Sequence, residues 1–262
     1  MSEIKRTYKP NKRKLYATIF VVVVAVITVI ALTRKKSSYI KDYVIDIKHL
    51  SDGQNDLIKE KDVKEIIRRS FEENVDDQKV GQVNVQRVER VVEADPFVEN
   101  AETFVDANNN LHITITQREP ICRIIDNNGL NYYMDKNGIR LPLSKYFSVR
   151  VPIVTGAVPP HVPDFLTRKK YGLKDVFTLV MKLRTDDFFN TFVQQIYMDA
   201  GGEFTLIPVL GEQKIRIGDL VDLDEKLQRL HIFYNEAMPY EGWKKYKTIS
   251  VKYKGQIVCK KR

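Results

Sequence analysis

The sequence predicts an α+β protein built from one N-terminal transmembrane helix, a β-α-α-β-β unit, and a mixed, mainly antiparallel β domain with flanking helices. Three observations carry that prediction. Residues 15–32 form an apolar run without a single charge. Between residues 43 and 117, runs with a period of two bracket two stripes with a period near 3.6. From residue 118 onward, short apolar runs separated by Asn-Gly and Gly-Gly pairs outnumber helical stripes. The divisions expected are a tail over 1–14, the span over 15–32, a linker over 33–42, the β-α-α-β-β unit over 43–117 and the β domain over 118–262.

The run LYATIFVVVVAVITVIAL is rich in β-branched side chains, which disfavour a helix in water. In lipid, a helix satisfies every backbone group, and at about 1.5 Å per residue this one reaches roughly 27 Å, near the hydrocarbon thickness. Tyr16 at its entry suits the interface. A cleaved signal peptide is the competing reading, because Val29-Ile30-Ala31 offers small residues near a cut. The run is longer than a usual signal core and Arg34-Lys35-Lys36 follows at once, so an uncleaved anchor is expected. Apolar residues on every face argue against a soluble core helix. Six basic residues precede the run and three follow it, which places the tail in the cytoplasm and everything after about residue 37 outside it.

Dividing the formal charge of +9 changes its meaning. Residues 1–36 hold nine basic groups against Glu3, and the last nineteen, Lys244–Arg262, hold eight basic groups and no acid. Residues 37–243 are net −7. Nucleic-acid binding needs positive charge across a folded face, so no nucleic-acid partner is expected.

Tyr43 to Ile47 reads as a strand and Ser51-Asp52-Gly53 as a turn. Val63, Ile66, Ile67, Ser70 and Phe71 make the stripe of an amphipathic helix. Asn84 caps a second helix with Val85, Val88 and Val92 on its apolar face, and Pro96 ends it. Val98 to Val105 and Leu111 to Thr116 form a hairpin across Asn108-Asn109-Asn110, with Leu111, Ile113 and Ile115 inward. The acidic stretch Glu72, Glu73, Asp76 and Asp77 reads as a solvated helix end and loop.

Further on, Ile121 to Ile125, Tyr132 to Met134 and Ile139 to Leu141 are strands separated by Asn128-Gly129 and Asn137-Gly138. Pro142, Pro152, Pro159, Pro160 and Pro163 mark a loop region. Leu173 to Leu183 and Leu223 to Phe233 have helical spacing. Phe192 to Met198 and Glu203 to Leu210 flank Gly201-Gly202, and Thr248 to Tyr253 pairs with Gln256 to Lys260 across Lys254-Gly255. On that last ribbon Ile249, Val251 and Tyr253 share one face and Thr248, Ser250, Lys252 and Lys254 the other.

Catalytic and cofactor signatures are missing from the sequence. His49, His112, His161 and His231 are scattered, without metal-ligand spacing. No nucleophile elbow, Walker loop or dinucleotide fingerprint occurs. Asp76-Asp77 and Asp186-Asp187 are neighbours only along the chain, where adjacent side chains point apart. Cys122 and Cys259 exclude a disulfide-dense scaffold, and nothing in the sequence brings their Cα atoms within bonding reach. No catalysis, cofactor or metal is expected.

Several short motifs in order carry a resemblance. They are Val83-Asn84-Val85, Pro96-Phe97-Val98-Glu99-Asn100-Ala101, Leu111 to Pro120 ending in Gln117-Arg118-Glu119-Pro120, and Tyr133-Met134-Asp135-Lys136-Asn137-Gly138. Pro152-Ile153-Val154-Thr155-Gly156 matches a following loop and Ile249 to Ile257 a terminal hairpin. With one amino-terminal span before them, they resemble the bacterial cell-division family FtsQ/DivIB, whose polypeptide-transport-associated (POTRA) domain precedes a β domain. Phe97 stands where the family often has Trp, and the final hairpin is unusually lysine-rich.

The resemblance implies a non-enzymatic scaffold in the plasma membrane at the division site. It would bridge early division proteins to the septal peptidoglycan synthesis machinery, with FtsB/DivIC-like and FtsL-like single-span partners. It also implies that the closing hairpin takes an FtsB/DivIC-like segment by strand addition, at Lys252, Tyr253, Gly255, Gln256, Ile257, Val258 and Cys259. On the residues alone, those lysines read first as gatekeepers against edge-to-edge association. Two rivals stay open: an anchored POTRA protein of secretion or outer-membrane assembly, which predicts tandem units where one is seen, and a tethered cell-wall enzyme.

Overall fold

A computed structural model describes residues 12–51, 53, 55–71 and 78–262. Most of the basic tail, Asp52 of the first turn and the acidic stretch Glu72, Glu73, Asp76 and Asp77 lie outside the described residues. Helix α1 (Lys12–Ser37) is long and apolar enough over Tyr16–Ser37 to cross a bilayer, and none of that stretch is buried. Its hydroxyls are satisfied within the helix, Thr28 donating to the Val24 carbonyl at 2.8 Å and Thr33 to that of Val29 at 3.0 Å. Such back-bonding is what a hydroxyl in hydrocarbon requires.

The chain leaving α1 runs straight into hydrogen bonds. Gly81 N–H donates to the Lys36 carbonyl (3.0 Å), Val80 to that of Ser38 (2.8 Å), and Ile40 N–H to that of Gln78 (3.2 Å). A Cβ at position 81 would stand 3.0 Å from the Lys36 oxygen, so glycine lets the two backbones approach.

In the amino-terminal unit, β1 (Tyr43–Lys48) is followed by α2 (Glu60–Ser70), α3 (Val85–Glu93), β2 (Val98–Val105) and β3 (Leu111–Gln117). The sheet order is β1-β3-β2, with β1 parallel to β3 in the register Tyr43↔Leu111 to Lys48↔Thr116. Leu111, Ile113 and Ile115 are buried, as are Val63 and Ile67 of α2 and Val88 and Val92 of α3. Asn84 caps α3, its side-chain oxygen accepting from Arg87 N–H at 3.0 Å. From α3, Glu89 accepts from Thr103 N–H (2.8 Å) and Glu93 from Ala101 N–H (3.2 Å), so two amides of strand β2 end on carboxylates.

The carboxy-terminal unit also takes in residues 49–58 and 96–99. Its strands are β4 (Pro120–Ile125), β5 (Asn131–Asp135), β6 (Arg140–Leu141), β7 (Ile153–Gly156), β8 (Val193–Met198), β9 (Phe204–Pro208), β10 (Lys214–Gly218), β11 (Tyr246–Ser250) and β12 (Val258–Lys261). They form one sheet in the order β12-β11-β10-β9-β8-β7-β4-β5-β6. Five neighbouring pairs are antiparallel, and β10–β11, β7–β8 and β4–β7 are parallel. Helices α4 (Gly172–Arg184), α5 (Asp187–Phe192) and α6 (Leu223–Ile232) contribute Val176, Leu179, Phe189 and Leu230 to the core against one sheet face. A π-helical turn (Phe233–Ala237) and the short α7 (Met238–Glu241) follow α6.

Ile153 to Gly156, matched above to a loop, is a strand running parallel between β4 and β8. The terminal ribbon also differs from the two-residue turn expected at Lys254-Gly255: β11 ends at Ser250 and β12 begins at Val258.

One turn recurs four times, after Asp106, Asp126, Asp135 and Asp199. Each aspartate accepts the N–H groups two and four residues on through one carboxylate oxygen, for example Asn137 and Ile139 on Asp135 at 2.9 and 2.7 Å. The fourth residue of each turn is left-handed: Asn109, Gly129, Gly138 and Gly202. In the first, the Asn110 N–H foremost, aided by His112, holds the Asp106 carboxyl down to about 2.

Candidate functional site

β12 closes one end of the nine-stranded sheet. It pairs with β11 in the register Ser250↔Val258, Ile249↔Cys259 and Thr248↔Lys260. Alternation then sends Val258 and Lys260 to one face and Cys259 to the other. Ile249 and Val251 are fully buried beneath, on the one face the sequence assigns to them together with Tyr253. Tyr253 departs from that shared face, being half exposed on the opposite side.

The face away from the helices is hollowed beside this edge. A concavity of about 610 Å³ is lined by Tyr197 from β8, Thr205 and Ile207 from β9, Lys214 and Arg216 from β10, and Thr248 and Ser250 from β11, and it is closed by Tyr253, Val258 and Lys260. Its floor is apolar and hydroxylic, and its rim is basic. Arg216 lies 3.8 Å from Glu203, too far to be neutralised firmly.

The loop between the strands is held rather than loose. The Arg229 guanidinium, from α6, donates to the carbonyls of Val251 (3.1 Å) and Tyr253 (3.2 Å) and to Glu225 (2.6 Å). Val251 N–H donates to the Arg216 carbonyl at 3.0 Å, prolonging the pairing with β10. Lys252 pairs with Glu203, whose carboxylate raises the Lys252 ammonium above its ordinary value. These bonds explain why no tight turn forms: two carbonyls and one amide of residues 251–253 are committed elsewhere.

The seven positions implied by the resemblance are therefore divided. Tyr253 and Val258 face the concavity. Ile257 and Cys259 pack against the core, and burial raises the Cys259 thiol. Lys252 is tied to Glu203, and Gly255 and Gln256 sit exposed at the loop tip. Sequence reasoning missed Tyr197, Thr205, Ile207, Lys214, Arg216 and Arg229. Lys214-Ile215-Arg216-Ile217 does alternate, and that signal would have found β10.

Both cysteines are free. Cys122 is fully buried in β4, and burial pushes its thiol up to about 12. Asp186 caps α5 by accepting from Phe188 and Phe189 N–H, which makes the Asp186-Asp187 pair a helix start. Among the described residues, no group of three or more His, Cys, Asp or Glu side chains could hold a metal ion.

No curated protein matches the chain. Two family models do: a POTRA-like domain over residues 41–116, and an FtsQ/DivIB C-terminal related domain over residues 119–260. The second covers the nine-stranded sheet, its helices and the hollowed edge, which is more than half of the residues, and on that ground the chain belongs to the FtsQ/DivIB family of cell-division proteins.

Proposed function

We propose that this protein is a membrane-anchored, non-enzymatic scaffold of the bacterial divisome. It sits in the plasma membrane with its tail in the cytoplasm, and its outer units work at the division site. There it bridges early division proteins to the septal peptidoglycan synthesis machinery. An FtsB/DivIC-like partner adds an extended segment to β12, and an FtsL-like protein completes the assembly. Anchoring supports this mechanism, because confinement to one bilayer raises the effective concentration of other anchored partners.

The observation that carries the reading is an unsealed terminal strand beside a basic, apolar hollow. Main-chain groups of an edge strand give affinity in strand addition, and neighbouring pockets give specificity. The hollow suits an acidic segment with one or two large apolar side chains. Lysines beside the edge also discourage a second copy from pairing there, so gatekeeping and docking coexist.

The test is co-purification of the FtsB/DivIC-like partner from membranes with the full chain carrying Tyr253→Ala and Val258→Glu. Loss of the partner with an unchanged melting curve is expected. Undiminished capture would remove the docking edge from the account.

A further inference from the structure

The outer face of the amino-terminal sheet changes character along its length. The rung nearest α1 holds Val44 and His112, which are register partners, with the Phe104 ring stacked on His112 at 4.8 Å and 4° between planes. Val44 is 42% exposed and Phe104 54%. Beyond that rung the same face carries Asp46 opposite Thr114, then Lys48 opposite Thr116, with Glu102 on β2. An apolar patch confined to one end of a polar face marks a contact surface at that end.

That end lies where the chain leaves α1. Lys41 N–H donates to the Asn109 carbonyl (3.0 Å) and Leu111 N–H to that of Asp42 (2.9 Å), so the Asp106–Asn110 turn is held against the exit. Tyr39, 56% exposed, stands two residues past the helix end, inside the backbone strap to residues 78–81. The apolar run ends at Leu32. At about 1.5 Å per residue, Ser37 then lies roughly 7 Å beyond the hydrocarbon edge, about the depth of the headgroup layer.

We propose that Tyr39, Val44 and Phe104 form a resting surface that lies in the headgroup layer of the same bilayer that α1 crosses. The contact is made by rings, as in an interfacial aromatic belt, and not by charge, since Asp42 and Asp106 share this end. His112 is held at 3.0 Å by Asp106 and backs the Phe104 ring, which sets the ring's orientation. The inference rests on the reading of α1 as a membrane span.

The experiment uses the full chain in vesicles of phosphatidylethanolamine and phosphatidylglycerol. Trp243→Phe removes the natural reporter, and a single tryptophan is placed by Phe104→Trp, Tyr39→Trp or Phe20→Trp. Quenchers are a headgroup spin-labelled lipid and a lipid brominated deep in its chain. Phe20→Trp should lose emission to the chain quencher, and Phe104→Trp and Tyr39→Trp to the headgroup quencher. If the Phe20 reporter is quenched while both others emit as in water, the resting surface is wrong and the anchor stands. If none is quenched, the anchor reading falls and this inference with it. Shielding of the Phe104 reporter only after an FtsB/DivIC-like partner is added would assign the patch to a protein and overturn it. Should Phe104→Trp fail to fold, Tyr39→Trp decides alone.

Discussion

The two units each end a sheet on an exposed strand, and they treat it in opposite ways. In the amino-terminal unit, the Ala101 and Thr103 amides of β2 donate to Glu93 and Glu89, carboxylates that α3 brings down onto the strand. In the carboxy-terminal unit, no side chain among the described residues bonds the backbone of Val258–Lys261. The charged side chains that β12 does carry, Lys260 and Lys261, only donate, so they flank the edge without occupying its amides. An edge is sealed by acceptors delivered from a neighbouring helix, and composition alone does not seal it. Under the docking proposal, partner addition falls at β12, and β2 becomes the built-in negative control.

The comparison can be broken at either edge. Replacing Glu89 and Glu93 together with alanine should have the largest effect. It should destabilise the amino-terminal unit by about 1–3 kcal/mol, the range for stranding partly buried donors. Denaturant unfolding followed on that unit reads the loss, and new self-association in sedimentation would show the strand unsealed. At the other edge, Lys260→Glu should weaken capture of an acidic partner segment by roughly tenfold, or about 1.4 kcal/mol, with no change in melting temperature. Calorimetric titration with a synthetic partner segment measures it.

Smaller changes sharpen the picture. Asn84→Ala removes the cap of the helix that delivers the two carboxylates and should cost about 1 kcal/mol. Hydrogen exchange at Ala101 and Thr103 should then rise. Asp106→Asn should act at neutral pH and fade in acid. Because its folded carboxyl sits near 2 against an ordinary 3.8, Asp106 contributes stability that is present above the ordinary value and lost as pH falls toward 2. The variant should melt below the parent at neutral pH and lack that acid limb, the two converging as pH falls toward 2, as judged by circular dichroism melts over that range.

How much of this was legible follows from the kind of signal each element leaves. α2 and α3 bury one stripe each, so their period was readable, and the Asn84 cap and Asn-Gly turns are local chemistry. β7 was hidden because a short strand among parallel neighbours shows no alternation, and Pro152 suggested a loop. α7 follows a π-turn and contains Pro239, so no regular period reaches it. The ribbon's strands were legible, but its turn was not, since Arg229 and Arg216, distant in sequence, hold Val251 and Tyr253. The hollow was equally out of reach, being assembled from five strands.

The recurring aspartate turns bear on how the protein ages. Asn-Gly pairs are where chains isomerise, by attack of the glycine amide nitrogen on the asparagine side chain. At Asn128-Gly129 and Asn137-Gly138 that nitrogen is already donating to the Asp126 carbonyl (2.9 Å) and the Asp135 carbonyl (3.0 Å). The nucleophile is engaged, which slows deamidation at two sites whose dipeptides would otherwise mark them as weak points. Durability of the covalent chain is thus a second service of the same turn.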